Sequence, residues 1–317
     1  VELAVVDYQI LQHVHPPAPV IPENIQEQLE QDDSLYRIFL TDPHRSTPFH
    51  SVTGQSTLQL SRYKAFLEET GLNVPDRPWM RNPFFAKYTR LVSRGGDIVE
   101  QPIPVQNIKP ERLLFDRAML DVLNVKYILC HSPIHDPNYA EITDSSMYMY
   151  ENKSVLPRAF FVDSVEVMPG SRAIFDAMDD LTFDPHRVAF VEQQPPFQVK
   201  NADSNSVTIQ KYNAIEMLLQ ANVKNPAMLV LSEVYYPAGW RAFVNGEETP
   251  ILRTNSFMRS IMLTPGDHRI RFMFLPTSFL IGKWTSIVAG ALLFVGFIGG
   301  LVLMIRKRDE STEELIT

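Results

Sequence analysis

Residues Trp284–Ile305 read WTSIVAGALLFVGFIGGLVLMI, 22 positions without one charge. An α-helix rises about 1.5 Å per residue, so the run spans roughly 33 Å, enough for the ~30 Å hydrocarbon core of a bilayer. A segment this long and this apolar predicts a transmembrane helix and divides the chain into two compartments. Arg306-Lys307-Arg308 follows at once, whereas Lys283 is the lone base just before the run. Positive charge is retained on the cytoplasmic side, so the tail 306–317 is expected in the cytoplasm and residues 1–283 outside it. Lys283 and Trp284 suit the outer interface, where an amphipathic ring and a snorkelling amine are at home. Gly296-x-x-x-Gly300 offers a small-residue face for packing against other membrane helices, although glycine is also simply common in such helices.

The rest of the chain is long enough for two domains. The whole sequence carries a net charge of −8, of which the four acids and three bases of the tail supply only −1. An acidic outer region argues against nucleic acid as a partner. Cys130 is the only cysteine, so no intrachain disulfide can form, and its place at the end of the apolar run Val125–Leu129 predicts a buried small hydrophobe. The opening VELAVVDYQIL looks like a strand and no signal peptide is visible, which suggests the end of a longer membrane protein.

Along the chain, His13–Pro22 reads as a proline-rich linker, Glu23–Gln31 as a polar exposed helix, and Leu35–Leu40 as a short buried strand. Leu58–Thr70 has the period of a helix capped by Gly71; Asn73–Pro110 reads as loop; Phe115–Leu123 is a helix leading into a strand at Val125–Leu129. Ala159–Val167 is expected as a strand and Ser171–Met178 as a helix. Residues 1–185 are therefore expected to form an α/β or α+β domain. After Asp184-Pro185 come eight strand-like runs: Arg187–Gln193, Ser206–Lys211, Ala214–Asn222, Ala227–Val234, Trp240–Val244, Pro250–Arg253, Phe257–Leu263 and Arg269–Leu275. Asn245-Gly246 is a strong hairpin signal, and Pro265-Gly266-Asp267 marks a second turn. Residues 186–276 are thus expected as an antiparallel, jelly-roll-like β-sandwich held on the bilayer surface by the helix at 284–305.

Few residues carry recognisable chemistry. His13-x-His15 and Cys130-His131…His135-Asp136 have metal-ligand residue types, but prolines surround both and further local ligands are missing, so no metal site is expected. Gly-x-Ser-x-Gly and Gly-x-Gly-x-x-Gly patterns are absent, and pairing any two of the many carboxylates would be arbitrary, so no catalytic residue is assigned. The sharpest cluster is Tyr235-Tyr236-Pro237-Ala238-Gly239-Trp240. Tyr235, Tyr236 and Trp240 are candidates to stack on sugar rings; the same residues can instead close the core of the sandwich.

Five segments in chain order resemble the YfhO family of bacterial multi-pass membrane proteins: Val52–Leu67, Leu113–Leu129, Tyr148–Val162, Leu229–Ile251 and Phe257–Ile287. Asn124-Val125-Lys126-Tyr127 and the Tyr-Tyr-Pro…Gly-Trp string carry most of the likeness, with Ala238 inserted where the family commonly runs Pro-Gly-Trp. The resemblance implies a bacterial plasma-membrane protein similar to GT-C glycosyltransferases, which take sugar from a polyprenyl-phosphate donor, with a divalent metal in some cases, and decorate cell-envelope glycopolymers. It places the catalytic acids on an early outer loop beyond this chain. This part would then position the acceptor glycan or cover the active site, with the lipid bilayer and upstream membrane helices as its partners. The alternative is a non-catalytic anchored protein that binds glycan or another partner.

Overall fold

The computed structural model describes residues 21–40, 48–52, 63, 65–66, 89–94, 97–102, 118–130, 139–144, 147–178, 180, 182–200 and 203–313. The expected strand at 1–11, the His13 and His15 pair, most of the expected helix at 58–70 and the His131, His135 and Asp136 loop lie outside them. The structure is mostly β-sheet, predominantly antiparallel, with a long apolar helix at its C-terminal end.

The first sheet has four strands, β1 (Arg37–Leu40), β4 (Val125–Cys130), β5 (Tyr139–Asp144) and β6 (Tyr148–Asn152), in the order β1-β4-β6-β5. β1 runs parallel to β4 and the other pairs are antiparallel. Helix α1 (Glu23–Glu30) covers it. The sequence reading made α1 exposed, but Ile25 and Leu29, one turn apart, are buried with Ile38, Leu40, Tyr127 and Leu129. Two apolar residues on one face suffice to dock so short a helix, which could not persist alone. Asn124 initiates β4 from a left-handed backbone (φ 60°), tolerable for Asn, and its buried amide donates to the Leu156 carbonyl at 2.8 Å. In the stretch expected to be loop, β2 (Thr89–Arg94) and β3 (Asp97–Pro102) form an antiparallel hairpin.

Two larger sheets pack face to face. One has five strands, β10 (Ser206–Tyr212), β11 (Glu216–Val223), β13 (Trp240–Val244), β14 (Glu247–Thr249) and β17 (Gly266–Phe274), in the order β10-β11-β17-β13-β14. The other has six: β7 (Ala159–Phe161), β8 (Ser164–Val167), β9 (Val188–Val191), β12 (Ala227–Val234), β15 (Leu252–Thr254) and β16 (Met258–Leu263), ordered β7-β12-β16-β15-β9-β8. Met217, Leu219, Leu229, Leu231, Ile261, Ile270 and Phe272 fill the space between them. On β17 the alternation is visible residue by residue, with His268, Ile270 and Phe272 inward and Arg269 and Arg271 outward. The six-stranded sheet takes β7 and β8 from before residue 185 and the rest from after it, so the expected boundary at 185/186 runs through one sheet. The run expected as one strand at Ala159–Val167 is divided between β7, on β12, and β8, parallel to β9. Helix α2 (Ser171–Met178) bridges β8 to β9, as a parallel pair requires, and buries Ile174 and Met178.

Asn245 (φ 53°) and Gly246 (φ 93°) close the β13–β14 hairpin between paired Val244 and Glu247. Two positive φ values define the type I′ turn that Asn-Gly favours. The turn at Pro265-Gly266 links β16 to β17, which lie in different sheets, so it crosses the sandwich rather than closing a hairpin. Only Leu275 and Pro276 separate β17 from helix α3 (Thr277–Glu313). α3 is 37 residues long, with an apolar span over Thr277–Gly300 of mean hydropathy 1.7, none of it buried within the protein. It begins seven residues before Trp284, so the helix entering the membrane starts almost where the sandwich ends.

Candidate functional site

β12 is apolar from Ala227 to Leu231 and then turns polar at Ser232 and Glu233. Its ladder with β16 shifts there, Leu231 pairing Arg259 and Val234 pairing Met258. The two extra residues form a bulge, and bulges re-aim side chains out of the regular pleat. Glu233 is thereby carried into the seam where all three sheets meet. Arg37 from β1 reaches its Oε1 at 3.2 Å and Arg158, just ahead of β7, at 3.4 Å; Arg259 from β16 approaches Oε2 at 3.6 Å. The Tyr212 hydroxyl, at the end of β10, donates to Oε1 at 2.8 Å.

Three guanidinium groups thus surround one carboxylate. The side chain of Arg158 is 1% exposed and that of Glu233 only 13%. The surplus positive charge is spread over neutral acceptors and π faces. Arg37 also donates to the Leu123 carbonyl and the Ser232 hydroxyl, at 2.9 and 2.8 Å, and Arg158 to the Tyr36 carbonyl at 3.2 Å. Arg259 lies 4.0 Å over the Trp240 ring and 5.4 Å from the Phe272 ring. Nε of Arg158, and Nε and Nη1 of Arg259, are buried without a hydrogen-bond acceptor among the described residues. Burial lowers both Arg158 and Arg259 to about 10, so both stay charged at neutral pH. Burial by itself raises the pKa of Glu233, but the charges of Arg37, Arg259 and Arg158 and the Tyr212 hydroxyl outweigh it and hold the carboxyl below its ordinary value. His50 packs edge-on against Tyr212, ring centroids 5.9 Å apart; partial burial, then the charges of Arg158 and Arg37, lower its pKa.

Arg158 and Tyr212 form part of the wall of a cleft of about 590 Å³ between the first sheet and the edge strand β10. Asp33, Ser34, Tyr36, Asn124, Lys126, Gln210 and Lys211 complete its polar lining. Lys126 is held by Asp32 at 2.6 Å and Lys211 by Glu216 at 2.6 Å. The Lys126 and Tyr127 hydrogen bonds, with Ser34, overcome the burial penalty on Asp32 and keep it well below the usual carboxylate range. The cleft presents hydrogen-bond donors, the basic groups of Lys126, Arg158 and Lys211 and the carboxylate of Asp33, an arrangement suited to binding a hydroxyl-rich ligand that carries negative charge. The divalent metal implied for the whole protein finds no grouping of three His, Cys, Asp or Glu among the described residues, and no step is assigned to it here.

The expected glycan-stacking residues do not share one open platform. Trp240 has Arg259 on its face and the Phe274 ring edge-on at 5.4 Å; Tyr235 faces Arg253 at 5.9 Å; Tyr236, 37% exposed, stacks on Phe274 at 6.2 Å. Gly239 makes this packing possible, since a Cβ there would overlap the Phe274 ring, 2.8 Å from Cζ. Gly239→Ala is expected to cost about 1–3 kcal/mol by overpacking, read as a lower denaturant midpoint; an unchanged midpoint would mean that the loop relaxes freely. Lys283 and Trp284 are exposed on α3, and a Cβ added at Gly296 or Gly300 meets nothing within 4 Å. Arg306, Lys307 and Arg308 continue the helical backbone.

The local sequence signal for the cluster is faint. It consists of single charges inside apolar strings, Arg158 in VLPRAFFV and Glu233 in MLVLSEV, where a charge is costly unless paired. Residues 187–286, from the start of β9 to the early turns of α3, match the family model described as bacterial membrane protein YfhO. No curated protein and no solved structure matches the chain. The matched stretch holds Tyr212, Glu233 and Arg259 of the cluster and the strand that runs into the membrane helix, and it supports a YfhO-family bacterial membrane protein.

Proposed function

We propose that this chain is the extracytoplasmic C-terminal part and a membrane helix of a YfhO-type protein that transfers sugar from a polyprenyl-phosphate donor to a cell-envelope glycopolymer. In this reading residues 1–283 lie outside the membrane, the basic tail lies in the cytoplasm, and the catalytic acids belong to membrane loops outside this chain. This part of the protein positions the acceptor. The observation that carries the reading is the cleft between the first sheet and β10, with Lys126, Arg158 and Lys211 in its wall, in a unit joined to the membrane helix by two residues. An envelope polymer rich in phosphate and hydroxyl groups matches such a lining.

The test uses the full-length protein, a polyprenyl-phosphate sugar and a purified acceptor polymer. A Lys126→Gln and Lys211→Gln double variant is expected to raise the acceptor KM about 5–30-fold with kcat little changed, since each lost charge-assisted contact is worth on the order of 1 kcal/mol. An unchanged acceptor KM would remove the cleft from the reading. Transfer by the 317-residue chain alone would show that the chemistry had been placed on the wrong part of the protein.

A further inference from the structure

The end of the five-stranded sheet nearest α3 carries apolar side chains that the fold leaves uncovered. β17 finishes at Phe274, between β11 and β13. On one side the Phe274 amide donates to the Ile215 carbonyl at 2.9 Å, which fixes the β10–β11 turn at the level of that residue. Asn213 rigidifies the turn, its Oδ1 accepting from the Ile215 and Glu216 amides at 3.0 and 2.7 Å, and Ile215 is left 64% exposed at the tip. On the other side the Leu275 amide donates to the Gly239 carbonyl, and Tyr236 stacks on Phe274 with Pro237 and Ala238 exposed beside it. Two loops far apart in sequence are thus pinned to the residues that lead into α3.

We propose that Ile215 and the Tyr236-Pro237 tip form a collar that rests in the interfacial zone of the bilayer around the entry of α3. Exposed apolar side chains begin on α3 at Phe279, 65% exposed, and Ile281, 63% exposed. Phe279 is four residues beyond Leu275, about 6–9 Å along a chain that becomes helical at Thr277. The interfacial layer on each side of the hydrocarbon core is itself about 5–8 Å thick. A hydrocarbon boundary at Phe279 therefore puts Leu275, and the two loops bonded at its level, among the lipid headgroups. There Ile215 loses its exposure to water and Tyr236 takes the amphipathic position that tyrosine favours at membrane interfaces. Lys283, one turn further in, extends its amine back to the same layer. The occupant is the lipid surface because the collar is continuous with the helix that enters it.

The test places single cysteines at Ile215→Cys, Tyr236→Cys and, further from α3 beside the β13–β14 turn, Glu247→Cys in the 317-residue chain reconstituted in vesicles. Cys130 is fully buried and does not compete for label. Glu247 pairs with Val244, which pairs with Ile270, so it lies about 13 Å from Phe274 along β17, beyond the thickness of the interfacial layer. An environment-sensitive fluorophore at 215 and 236 is expected to lose emission with lipids brominated high on the acyl chain and to resist aqueous iodide. The label at 247 is expected to behave the opposite way. Iodide access at 215 and 236 would overturn the collar, as would shielding from both quenchers, which would mean a protein or glycan cover. Lipid quenching at all three positions would overturn it too, by showing the sheet lying flat. The outcome is independent of whether the protein transfers sugar.

Discussion

Glu233→Gln is expected to destabilise the protein by about 3–5 kcal/mol, the range for removing one member of a buried ionic network. Arg37, Arg158 and Arg259 would remain together in the seam without the carboxylate that holds them. Glutamine keeps the volume and can still accept from the Tyr212 hydroxyl, so the loss reports charge rather than shape. Arg37→Met should cost less, because it relieves repulsion between guanidinium groups and leaves Glu233 with two guanidinium partners and the Tyr212 hydroxyl. The ordering of the two variants is thus the sharper result, and equal costs would mean that the surplus charge is already neutralised. Urea unfolding of the solubilised chain, followed by tryptophan emission, gives both numbers.

The same carboxylate sets an acid limit. Its folded-state pKa lies below the ordinary value of 4.5, so its stabilising contribution is complete at neutral pH and is lost as pH falls through the folded value. Asp32, also lowered, titrates in the same direction. The Glu233→Gln chain should therefore show a shallower fall in stability below pH 4.5 than the parent, and a parallel fall would assign the acid limit elsewhere.

The sandwich was legible because its strands are bounded by chemistry that acts locally. Ala227–Val234 and Trp240–Val244 coincide with β12 and β13, and Asn245-Gly246 adopts the left-handed pair of φ values that only such residues accept easily. β7 and β8, three and four residues long, carry too little pattern to reveal that they join a sheet formed mainly by later strands; their partners are settled by burial against β12 and β9. β5 and β6 are longer but show no clean alternation, since β6 buries Met149 and Tyr150 on opposite faces between β4 and β5. The cluster was less legible still. Arg37 and Glu233 lie 196 residues apart, and nothing near either predicts the other. What the sequence did show is the cost side, a lone charge at the end of an apolar strand, which demands a partner without naming it.

Phe272→Ala is expected to cost about 3–5 kcal/mol, as for a large aromatic truncated in a closed core. Phe272 is fully buried on β17, paired with Met217 on one side and Ala242 on the other, and it faces the six-stranded sheet across Leu229, Leu231 and Ile261. Neighbours fixed in two sheets cannot collapse readily into the space left behind. The Arg259 guanidinium would also lose one of its two π faces, keeping Trp240. A cycle of Phe272→Ala with Arg259→Met should therefore show a coupling of about 0.5–2 kcal/mol, and strict additivity would mean that the ring serves packing alone. Phe272→Leu, which retains most of the volume, should cost roughly 1–2 kcal/mol. Loss of the sandwich does not free the chain from the bilayer, because α3 satisfies its own backbone and makes no buried contact with the sheets along its apolar span. Limited proteolysis of Phe272→Ala in vesicles should accordingly cleave within β10–β17 while leaving a membrane-embedded fragment that contains Thr277–Gly300; release of that fragment into the soluble fraction would show that the helix depends on the sheet for its place.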